Sequence, residues 1–354
     1  MESSIKPPDS IWIKSLKWIN QALIVITLLA YLAPYLHPAQ FGFIALLGLV
    51  YPLLLFLNIA FVIYWSIKKR WYFLFSLICI LLGWTFLSRN FGLSGANDIP
   101  IDSLKIMTFN ASSGHYFAPE GSNLRDEIKF RDYVKVQDAE IICLQEFFYA
   151  PNFEKLKNSE QQKYHFAFSD SRRLVIASIH PIQHYESLNF INASNGTLFA
   201  DIEIDGKMLR VYNTHLKSNR ITGIVDEVAE EKKFQDKETW QKIRRMFKGY
   251  RDMAEIRATQ AEELAAHIAQ SPYPVVLCGD FNDVPQSYTY EILSKKMTDH
   301  FQEKGKGIGS TFAGNLPFLR IDYIMTSPSM KVIESQIIKD GYSDHYPIVS
   351  YVAF

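Results

Sequence analysis

The chain has 354 residues, and its 37 Lys and Arg side chains are balanced by 37 Asp and Glu side chains, so the formal net charge is zero. The charge is distributed unevenly, because residues 18–67 and 71–88 contain no Asp, Glu, Lys or Arg, whereas residues 99–354 carry 30 basic and 34 acidic side chains. Uncharged runs of this length exclude a purely soluble protein and a disordered one. The three cysteines lie far apart in apolar runs, which excludes a disulfide scaffold.

The two apolar runs near the amino terminus predict three membrane-spanning helices, which together form an anchor over residues 1–90. A bilayer core about 30 Å thick takes about 20 apolar helical residues, so the first run is long enough for two crossings. Two prolines and a glycine between residues 34 and 42 supply a turn between them. The predicted spans are residues 17–36, 43–66 and 71–89.

The positions of Lys and Arg predict the orientation of these spans. Lys6, Lys14 and Lys17 precede the first span, residues 68–70 (KKR) lie between the second and third, and the first loop has no Lys or Arg. All six positive charges are cytoplasmic if the amino terminus is cytoplasmic, and Arg89 alone opposes this arrangement. We therefore expect a multi-pass integral membrane protein whose remaining residues, after Arg89, lie outside the cytoplasm.

Residues 91–103 are rich in Gly, Asn, Asp and Ser and are predicted to be a linker to a second domain over residues 104–354. In that domain, short β-type runs alternate with segments of helical periodicity, which predicts a mixed sheet covered by helices. The predicted strands are 104–109, 141–144, 174–179, 198–204, 208–214, 275–278, 321–325, 331–339 and 348–352. The predicted helices are 124–137, parts of 225–270, and 288–296.

Polar side chains stand at the ends of these predicted strands. Taken singly, each has an ordinary explanation: Asn110 could cap a turn, His215 could be a satisfied core histidine, and Asp280 with Asn282 could form an Asx turn. Their recurrence at successive strand ends indicates one assembled site instead. The set is Asn110, Gln145, Glu146, Asn213, Thr214, His215, Asp280, Asn282, Asp283, Arg320, Asp322, Tyr323, Ser343, Asp344 and His345.

Six short motifs in this order resemble the endonuclease/exonuclease/phosphatase (DNase I-like) superfamily. They are TFN at 108–110, LQE at 144–146, NTHL at 213–216, GDFN at 279–282, RIDYI at 320–324 and SDH at 343–345. IASIHPI at 176–182 and the pair Arg257 and Gln260 resemble smaller features of the same group. The resemblance covers residues 104–354. It implies an α/β (α+β) sandwich of two packed mixed β-sheets flanked by helices, here preceded by three transmembrane helices, with the site at one edge.

The resemblance also implies a magnesium-dependent phosphoric ester hydrolase. Hydrolysis of a phosphoester requires stabilised charge on the phosphate oxygens and an aligned water, and oxygen ligands suit Mg²⁺, with Mn²⁺ as the alternative ion. The expected metal ligands are Glu146, Asn110 and Asp344.

In the same resemblance Asp280 deprotonates the attacking water, and Asn282, His215 and His345 donate hydrogen bonds to the phosphate. Asp322 is expected to hold the imidazole of His345 in its donating tautomer. The expected substrate contacts are Asn213 and Arg320, with a fold-stabilising ion pair as the alternative for Arg320.

Three features remain open in the sequence. The carboxylate that lies behind the equivalent of His215 in nuclease members is not evident, and Glu186 and Asp201 are guesses. A zinc site at His180 and His184 is disfavoured, because Pro181 follows the end of a strand. The charged stretch 225–250 is either a solvated helix or a basic surface facing anionic lipid or substrate phosphates.

The anchor favours a phosphodiester in a lipid headgroup as the substrate, because tethering raises the effective concentration of the site near the bilayer. A nucleic acid or nucleotide is the alternative, although the formal charge of −4 on residues 99–354 (30 minus 34) argues against a dedicated duplex binder. An anchored scaffold that has lost turnover is a further alternative, and a transporter is disfavoured by the lack of intramembrane charge. The sequence allows no protein partner to be inferred.

Overall fold

The fold is seen in a computed structural model of the chain. It describes residues 10–94, 98–112, 133, 136–147, 164–171, 173–190, 196–219, 237–314, 318–339 and 343–354. Almost all of the helix predicted over 124–137 lies outside these residues, as does the part of the charged stretch 225–250 that precedes residue 237.

The amino-terminal region is helical. Its described helices are α1 (Ile11–Ala30), α2 (Pro38–Leu49), α3 (Tyr51–Ile67), α4 (Phe73–Leu82) and α5 (Trp84–Asn90), with a short 3₁₀ turn at Ala33–Tyr35. The side chain of Ser10 accepts a hydrogen bond from the Ile13 amide and so caps α1, and Pro38 and Pro52 each stand in the first turn of their helix, where no intrahelical donor is lost.

One helical segment among the described residues, Ile11–Tyr35, is by itself long and apolar enough to cross a membrane. Helices α2 and α3 are bent by 50° and α4 and α5 by 71°, so three crossings result only if each bent pair counts as one span. The prediction of three continuous spans is therefore not confirmed. Gly83 separates α4 from α5 and faces the Tyr31 ring so closely that an added Cβ would lie 2.2 Å from the hydroxyl oxygen.

Side-chain hydrogen bonds join the first, third and fourth helices into a bundle. Asn20 Nδ2 donates to Ser76 Oγ at 2.7 Å, and Trp65 Nε1 donates to Asn20 Oδ1 at 3.0 Å. Asn58 Nδ2 donates to Thr27 Oγ1 at 2.9 Å. Large apolar side chains, among them Trp18, Leu53 and Ile67, nevertheless remain exposed on the outside of this bundle.

The rest of the chain forms a β-sandwich. Its strands are β1 (Phe91–Leu93), β2 (Leu104–Asn110), β3 (Ile141–Gln145), β4 (His165–Phe168), β5 (Val175–Ser178), β6 (Ile182–Asn189), β7 (Gly196–Ile204), β8 (Lys207–His215), β9 (Val275–Asp280), β10 (Thr298–Asp299), β11 (Lys306–Ile308), β12 (Asp322–Thr326), β13 (Lys331–Ile337) and β14 (Ile348–Ala353). Helices α6 (Lys237–Ile268), α7 (Tyr288–Ser294) and α8 (His300–Lys304) accompany them.

Two six-stranded mixed sheets pack face to face, with strand orders β10-β12-β9-β8-β7-β6 and β13-β14-β2-β3-β5-β4. The core between them consists of the inward-facing residues of both sheets, including Ile106, Ile176, Val211 and Val276. Helix α6 covers the outer face of the first sheet, where Ala261 and Leu264 pack with residues of β8 and β9. The predicted sandwich of two mixed sheets flanked by helices is confirmed.

The nine predicted strands all form, with ends that shift by one or two residues. The predicted linker 91–103 is wrong in part, because Phe91–Leu93 is a strand that pairs antiparallel with Lys306–Ile308. The sequence analysis also missed β4, β6, β10 and β11. Strands β4 and β6 pair with the next strand along the chain, whereas β10 and β11 pair with strands that are more distant.

The helical region and the sandwich are in direct contact. Helix α2 packs on α6, where Ala45 meets Tyr250 and Ala254. Helix α5 also packs on the sandwich, because Arg89 forms an ion pair with Glu291 at 2.9 Å. Within the third predicted span, 71–89, the helix is bent by 71° between α4 and α5, and Arg89 at its carboxyl end contacts the sandwich.

Candidate active site

The polar strand ends meet at one edge of the sandwich because the strands pair there in register. Strands β8 and β9 are parallel, which places His215 opposite Asp280, and β9 and β12 are antiparallel, which places Asp280 opposite Asp322. In the other sheet, β2 and β3 are parallel and place Asn110 opposite Gln145. Strand register therefore brings together five of the six sequence motifs, three in one sheet and two in the other.

Asp280 is the centre of this cluster and is 1% exposed. Its Oδ2 accepts from Asn110 Nδ2 at 3.0 Å and from Asn282 Nδ2 at 3.1 Å, and its Oδ1 accepts from the Asn282 amide at 2.7 Å. Burial and the neighbouring Asp322 carboxylate raise the pKa of Asp280 to about 6, against the opposing effect of His345 and His215. A carboxylate with this pKa is matched to proton abstraction near neutral pH.

His345 stands beside Asp280 and is oriented by Asp322. Its Nδ1 lies 2.9 Å from Asp322 Oδ2, and its Nε2 lies 3.9 Å from Asp280 Oδ2. Burial alone lowers the pKa of His345, but the Asp322 and Asp280 carboxylates outweigh it and raise the pKa to about 10. The imidazole therefore carries a proton at neutral pH and can donate from Nε2 to an anion in the pocket.

His215 lies on the other side of Asp280. Its Nε2 is 3.6 Å from Asp280 Oδ2 and 3.7 Å from Glu146 Oε1, and no hydrogen-bond partner for this buried atom exists among the described residues. Burial lowers the pKa of His215 despite the opposing Asp280 carboxylate. A buried nitrogen without a partner beside two carboxylates is the kind of atom that a bound group would satisfy.

The guessed carboxylate partners of His215 are wrong. Asp201 is paired instead with Arg210, whose Nε and Nη2 donate to it at 2.6 Å and 2.7 Å. Glu186 lies on the solvent-exposed strand β6, 3.9 Å from His184 Nε2. The nearest carboxylates to His215 are those of Asp280 and Glu146, which belong to the site itself. His180 Nε2 is hydrogen-bonded to Glu140 Oε2 at 2.9 Å, and neither His180 nor His184 belongs to the group of potential metal ligands found among the described residues.

The predicted metal ligands differ in their surroundings. Glu146 and Asp344 both line the pocket in front of Asp280, and Glu146 follows β3 with a left-handed φ of 50° that is unusual for a side chain of its size. Asn110 is buried below them, and its Oδ1 already accepts from the Ser112 amide at 3.0 Å. Hard oxygen donors in one pocket fit a divalent cation such as Mg²⁺, which prefers carboxylate and amide oxygens.

A second potential ligand set was not identified in the sequence as metal-binding. Side-chain atoms of Asp280, Asp322 and His345 lie within 4.8 Å of one another and could hold an ion. In this structure His345 Nδ1 is hydrogen-bonded to Asp322, so this set presents fewer free donors than the pair Glu146 and Asp344.

The two predicted substrate contacts are occupied elsewhere. Asn213 is fully buried and joins the two sheets, donating from Nδ2 to the carbonyl oxygens of Leu144 and Val175 at 2.8 Å. Arg320 is 1% exposed and forms a bidentate ion pair with Asp299, at 3.0 Å and 2.6 Å. Neither residue is among those that line the pocket, and the contact of Arg320 with Asp299 is the fold-stabilising ion pair that was the alternative for this residue.

Sequence reasoning missed the residues that support the loops on either side of Asp280. Arg257 Nε donates to Asp283 Oδ2 at 3.1 Å, its Nη1 donates to the Lys217 carbonyl at 3.0 Å, and Asn219 Nδ2 donates to the Asn282 carbonyl at 2.7 Å. In the sequence, the only indication of this supporting role was that Arg257 and Gln260 resemble a smaller feature of the superfamily. These contacts fix the backbone around Asn282, which has a left-handed φ of 53°.

The pocket in front of Asp280 has a volume of about 120 Å³. One side is polar and contains Glu146, Asp280, Asn282, Asp344 and His345. The other side is apolar and contains Leu49, Val284, Phe312, Leu319 and Ile321. Leu49 comes from helix α2, so the helical region contributes to the wall of the site.

Two family models match the chain. The Endonuclease/Exonuclease/phosphatase family model matches residues 107–345, which is more than half of the chain. The chain belongs to this family. A domain of unknown function, DUF8431, matches residues 13–90. Members of the endonuclease/exonuclease/phosphatase family are hydrolases that act on phosphoesters and use divalent metals. No curated protein matches the chain.

Several solved structures share the fold. The zebrafish (D. rerio) TDP2 complexed with single strand DNA product is 17% identical, with a TM-score of 0.52, 71% of this chain covered and 99% of that one. The human Nocturnin catalytic domain with bound sulfate anion is 15% identical, with a TM-score of 0.53 and coverages of 73% and 97%. An endonuclease/exonuclease/phosphatase from Bacteroides vulgatus is 16% identical, with a TM-score of 0.52 and coverages of 71% and 99%.

Proposed function

We propose that the protein is a membrane-anchored, divalent-metal-dependent phosphoesterase that hydrolyses a phosphodiester, with a lipid headgroup as the favoured substrate. The position of Asp280 is the observation that best supports this class of reaction. Its carboxylate is held by the amides of Asn110 and Asn282 at the base of a pocket whose polar side also contains Glu146 and His345. Family membership gives this arrangement a hydrolytic precedent.

In this proposal Asp280 positions a water in line with the leaving group and accepts its proton, for which a pKa of about 6 is suited. His345 donates from Nε2 to a phosphate oxygen, and Asp322 keeps its other nitrogen occupied. His215, whose Nε2 has no partner among the described residues, supplies a second donor on the opposite side. Asn282 Nδ2 donates to Asp280 Oδ2 and to the Leu216 carbonyl, and in this proposal it exchanges one of these hydrogen bonds for a phosphate oxygen when the substrate is bound.

Glu146 and Asp344 would hold a magnesium or manganese ion, with Asn110 as a further oxygen donor below them. When bound, the ion would neutralise charge on the phosphate. The chain itself orients the water through Asp280 and the anion through His345 and His215. These roles rest on the donor chemistry of the pocket and on the use of divalent metals in the family.

We further propose that α1–α5 anchor the protein in a membrane, with the amino terminus cytoplasmic and the sandwich outside the cytoplasm. The exposed apolar faces of the helices and the positions of Lys14, Lys17 and residues 68–70 support this proposal. Three crossings would require the bent pairs α2–α3 and α4–α5 each to act as one span.

The preference for lipid is supported by contacts between the helices and the loop that follows the GDFN motif. Gln286 Nε2 donates to the Phe86 carbonyl at 3.2 Å, and Arg89 Nη1 donates to the Pro285 carbonyl at 3.2 Å. These contacts hold the helical region next to the pocket, so a substrate in the bilayer would have a short path to Asp280.

Hydrolysis of nucleic acid is the second candidate. A structural neighbour with the same fold is the TDP2 complex with single strand DNA product, and the chain retains the acidic and imidazole side chains on which such chemistry depends. The formal charge of −4 on residues 99–354 disfavours a duplex substrate. A silent scaffold is the third candidate, and the presence of Glu146, Asp280 and His345 in one pocket argues against it.

The deciding experiment is magnesium-dependent hydrolysis by the detergent-solubilised full-length protein. Its panel contains a glycerophospholipid, a sphingomyelin-type lipid, an inositol phosphate, single- and double-stranded DNA, and a generic phosphodiester. Asp280→Asn should reduce turnover by at least about 10²-fold, within the usual contribution of a general base. Asp205→Asn, at the exposed turn between β7 and β8, is the matched control and should retain wild-type turnover.

Selective, Asp280-dependent cleavage of lipid would support the favoured substrate. Selective cleavage of DNA would transfer the proposal to the nuclease candidate, and turnover that persists in Asp280→Asn would contradict the assignment of the base. Silence of the wild-type protein across the whole panel would leave the scaffold candidate as the best interpretation.

A further inference from the structure

Leu49 is the last residue of helix α2, yet it lies in the pocket that contains Asp280 and His345. Its side chain is only partly buried, and it packs against the apolar cluster of Val284 and three further residues. Those three residues are Phe312, Leu319 and Ile321. We call this cluster together with Leu49 the apolar wall. A residue of the helical region therefore faces the same small space as the catalytic carboxylate.

Contacts of the neighbouring residues of α2 with the sandwich hold Leu49 in the pocket. Gly48 approaches the Gln286 carbonyl so closely that an added Cβ would lie 2.3 Å from its oxygen. One turn earlier, Ala45 packs against Tyr250 and Ala254 of α6, and the Tyr250 hydroxyl donates to Asp283 at 3.3 Å. Because Gly48 has no side chain, α2 can contact the loop that follows the GDFN motif. This contact places the next residue, Leu49, in the pocket.

The division of the pocket into a polar side and the apolar wall indicates the shape of its substrate. A phosphodiester has an anionic centre, which suits the polar side, and two ester substituents, one of which would lie against the apolar wall. An aliphatic wall favours an alkyl substituent through removal of apolar area from water. A nucleobase would prefer exposed aromatic faces, and the aromatic ring of the wall, that of Phe312, is already packed against His345 with centroids 5.4 Å apart.

We propose that the apolar wall is the subsite for an alkyl substituent of the phosphodiester, and that Leu49 makes the helical region part of the active site. This proposal rests on the proposed function and names the chemistry next to the phosphate. The substrate class is a phosphodiester with an aliphatic ester group, as in a membrane phospholipid. Helix α3 begins two residues after Leu49, so the wall continues directly into the apolar helices.

The test uses 4-nitrophenyl phosphodiesters whose second ester group is methyl, butyl or octyl, with the full-length protein in lipid nanodiscs. For the wild-type protein, kcat/KM should rise with chain length, by up to about fourfold for each fully buried methylene. Leu49→Asn should reduce the ratio of octyl to methyl kcat/KM at least tenfold. Leu49→Met should retain the ratio, because Met restores an apolar side chain of similar volume.

Leu53→Asn is the matched control, because Leu53 is exposed on α3 and does not line the pocket. It should leave the octyl-to-methyl ratio unchanged. If Leu49→Asn does not fold, Leu49→Trp decides the question, because the larger ring should fill the subsite and reduce the ratio without loss of apolar contact.

A wild-type protein that hydrolyses all three esters without a chain-length preference would overturn the subsite, and so would a folded Leu49→Asn or Leu49→Trp protein that keeps the full preference. Either result would leave the proposed phosphodiesterase in place. If the wild-type protein shows no Asp280-dependent hydrolysis of any of the three esters, the proposed function fails, and the subsite fails with it.

Discussion

His345 Nδ1 lies 2.9 Å from Asp322 Oδ2, which leaves the opposite nitrogen of the ring directed towards Asp280. The side chain of Thr311 holds the backbone at Asp322, because the amides of Ile321 and Asp322 both donate to Thr311 Oγ1. The pair links the RIDYI motif (320–324) to the SDH motif (343–345), although Asp322 and His345 are 23 residues apart in the sequence.

We expect Asp322→Asn to preserve the fold and to reduce kcat by about 10²-fold, the lower end of the range for a positioned proton donor. An amide at this position can donate to Nδ1 and so favour the wrong tautomer, whereas the carboxylate only accepts. KM should change much less than kcat, since the hydrogen bond from His345 strengthens most as charge develops on the phosphate in the transition state. Steady-state kinetics on a generic phosphodiester measure both constants, and an unchanged kcat would show that His345 needs no orienting partner.

Glu146 should control the affinity for the metal. Adding Mg²⁺ or Mn²⁺ should raise the melting temperature of the wild-type protein, because a ligand at about 100 times its Kd stabilises the native state by about 2.7 kcal/mol. Glu146→Gln should require at least tenfold more metal for the same increase. Glu255→Gln, on the exposed face of α6, is the matched control. An identical metal titration for wild type and Glu146→Gln would instead favour the set Asp280, Asp322 and His345.

Arg320→Ala should destabilise the protein by about 3–5 kcal/mol, because it leaves the buried Asp299 carboxylate without its partner. Burial alone raises the pKa of Asp299, but Arg320 outweighs it and lowers the pKa, so the carboxylate depends on this pair. Chemical denaturation measures the loss, and Lys331→Ala, at an exposed position of β13, should change stability by less than about 0.5 kcal/mol. A stable Arg320→Ala protein with a raised KM would instead support the prediction that Arg320 contacts the substrate.

His300 predicts a pH dependence of stability. It is fully buried, with Nε2 3.1 Å from Thr326 Oγ1, and burial lowers its pKa from 6.5 to about 3 despite the adjacent Asp299. Below pH 6.5 the unfolded state binds a proton that the folded state does not, so stability falls as the pH decreases from 6.5 towards 3. Between pH 7.5 and pH 5 the loss should be about 2 kcal/mol.

Urea denaturation of wild type and His300→Gln at both pH values isolates this effect. The variant removes the histidine while the neighbouring carboxylates remain, so the difference between the two pH dependences belongs to His300. Equal pH dependences in the two proteins would show that the imidazole is protonated in the folded state.

The strands and the site motifs were predictable from the sequence for a physical reason. Alternation of apolar residues and flanking turn residues is local, and it identified β2, β3, β8, β9 and β12 to within two residues at either end. Polar groups at the ends of neighbouring strands converge once the strands pair, so Asp280, His215 and Asp322 were expected in one site before their distances were known.

The helical region was less predictable. An uncharged run reports hydropathy but not where a helix bends, and the bends of 50° and 71° depend on Pro52 after Val50 and on the contact between Gly83 and Tyr31. Phe91–Leu93 was assigned to a linker, because its partner strand lies more than 200 residues away.

The motifs in the sequence were sufficient to predict the family, their order along the chain and Asp280 as the proposed base, because short motifs are local patterns. Only the tertiary structure decided which polar groups face the pocket and which are structural. Asn213 and Arg320 stand in motifs like the others, but their partners, the Leu144 and Val175 carbonyls and Asp299, come from distant segments. Leu49 is not part of any motif. It lies in the pocket because α2 packs on α6 and Gly48 closely approaches the Gln286 carbonyl.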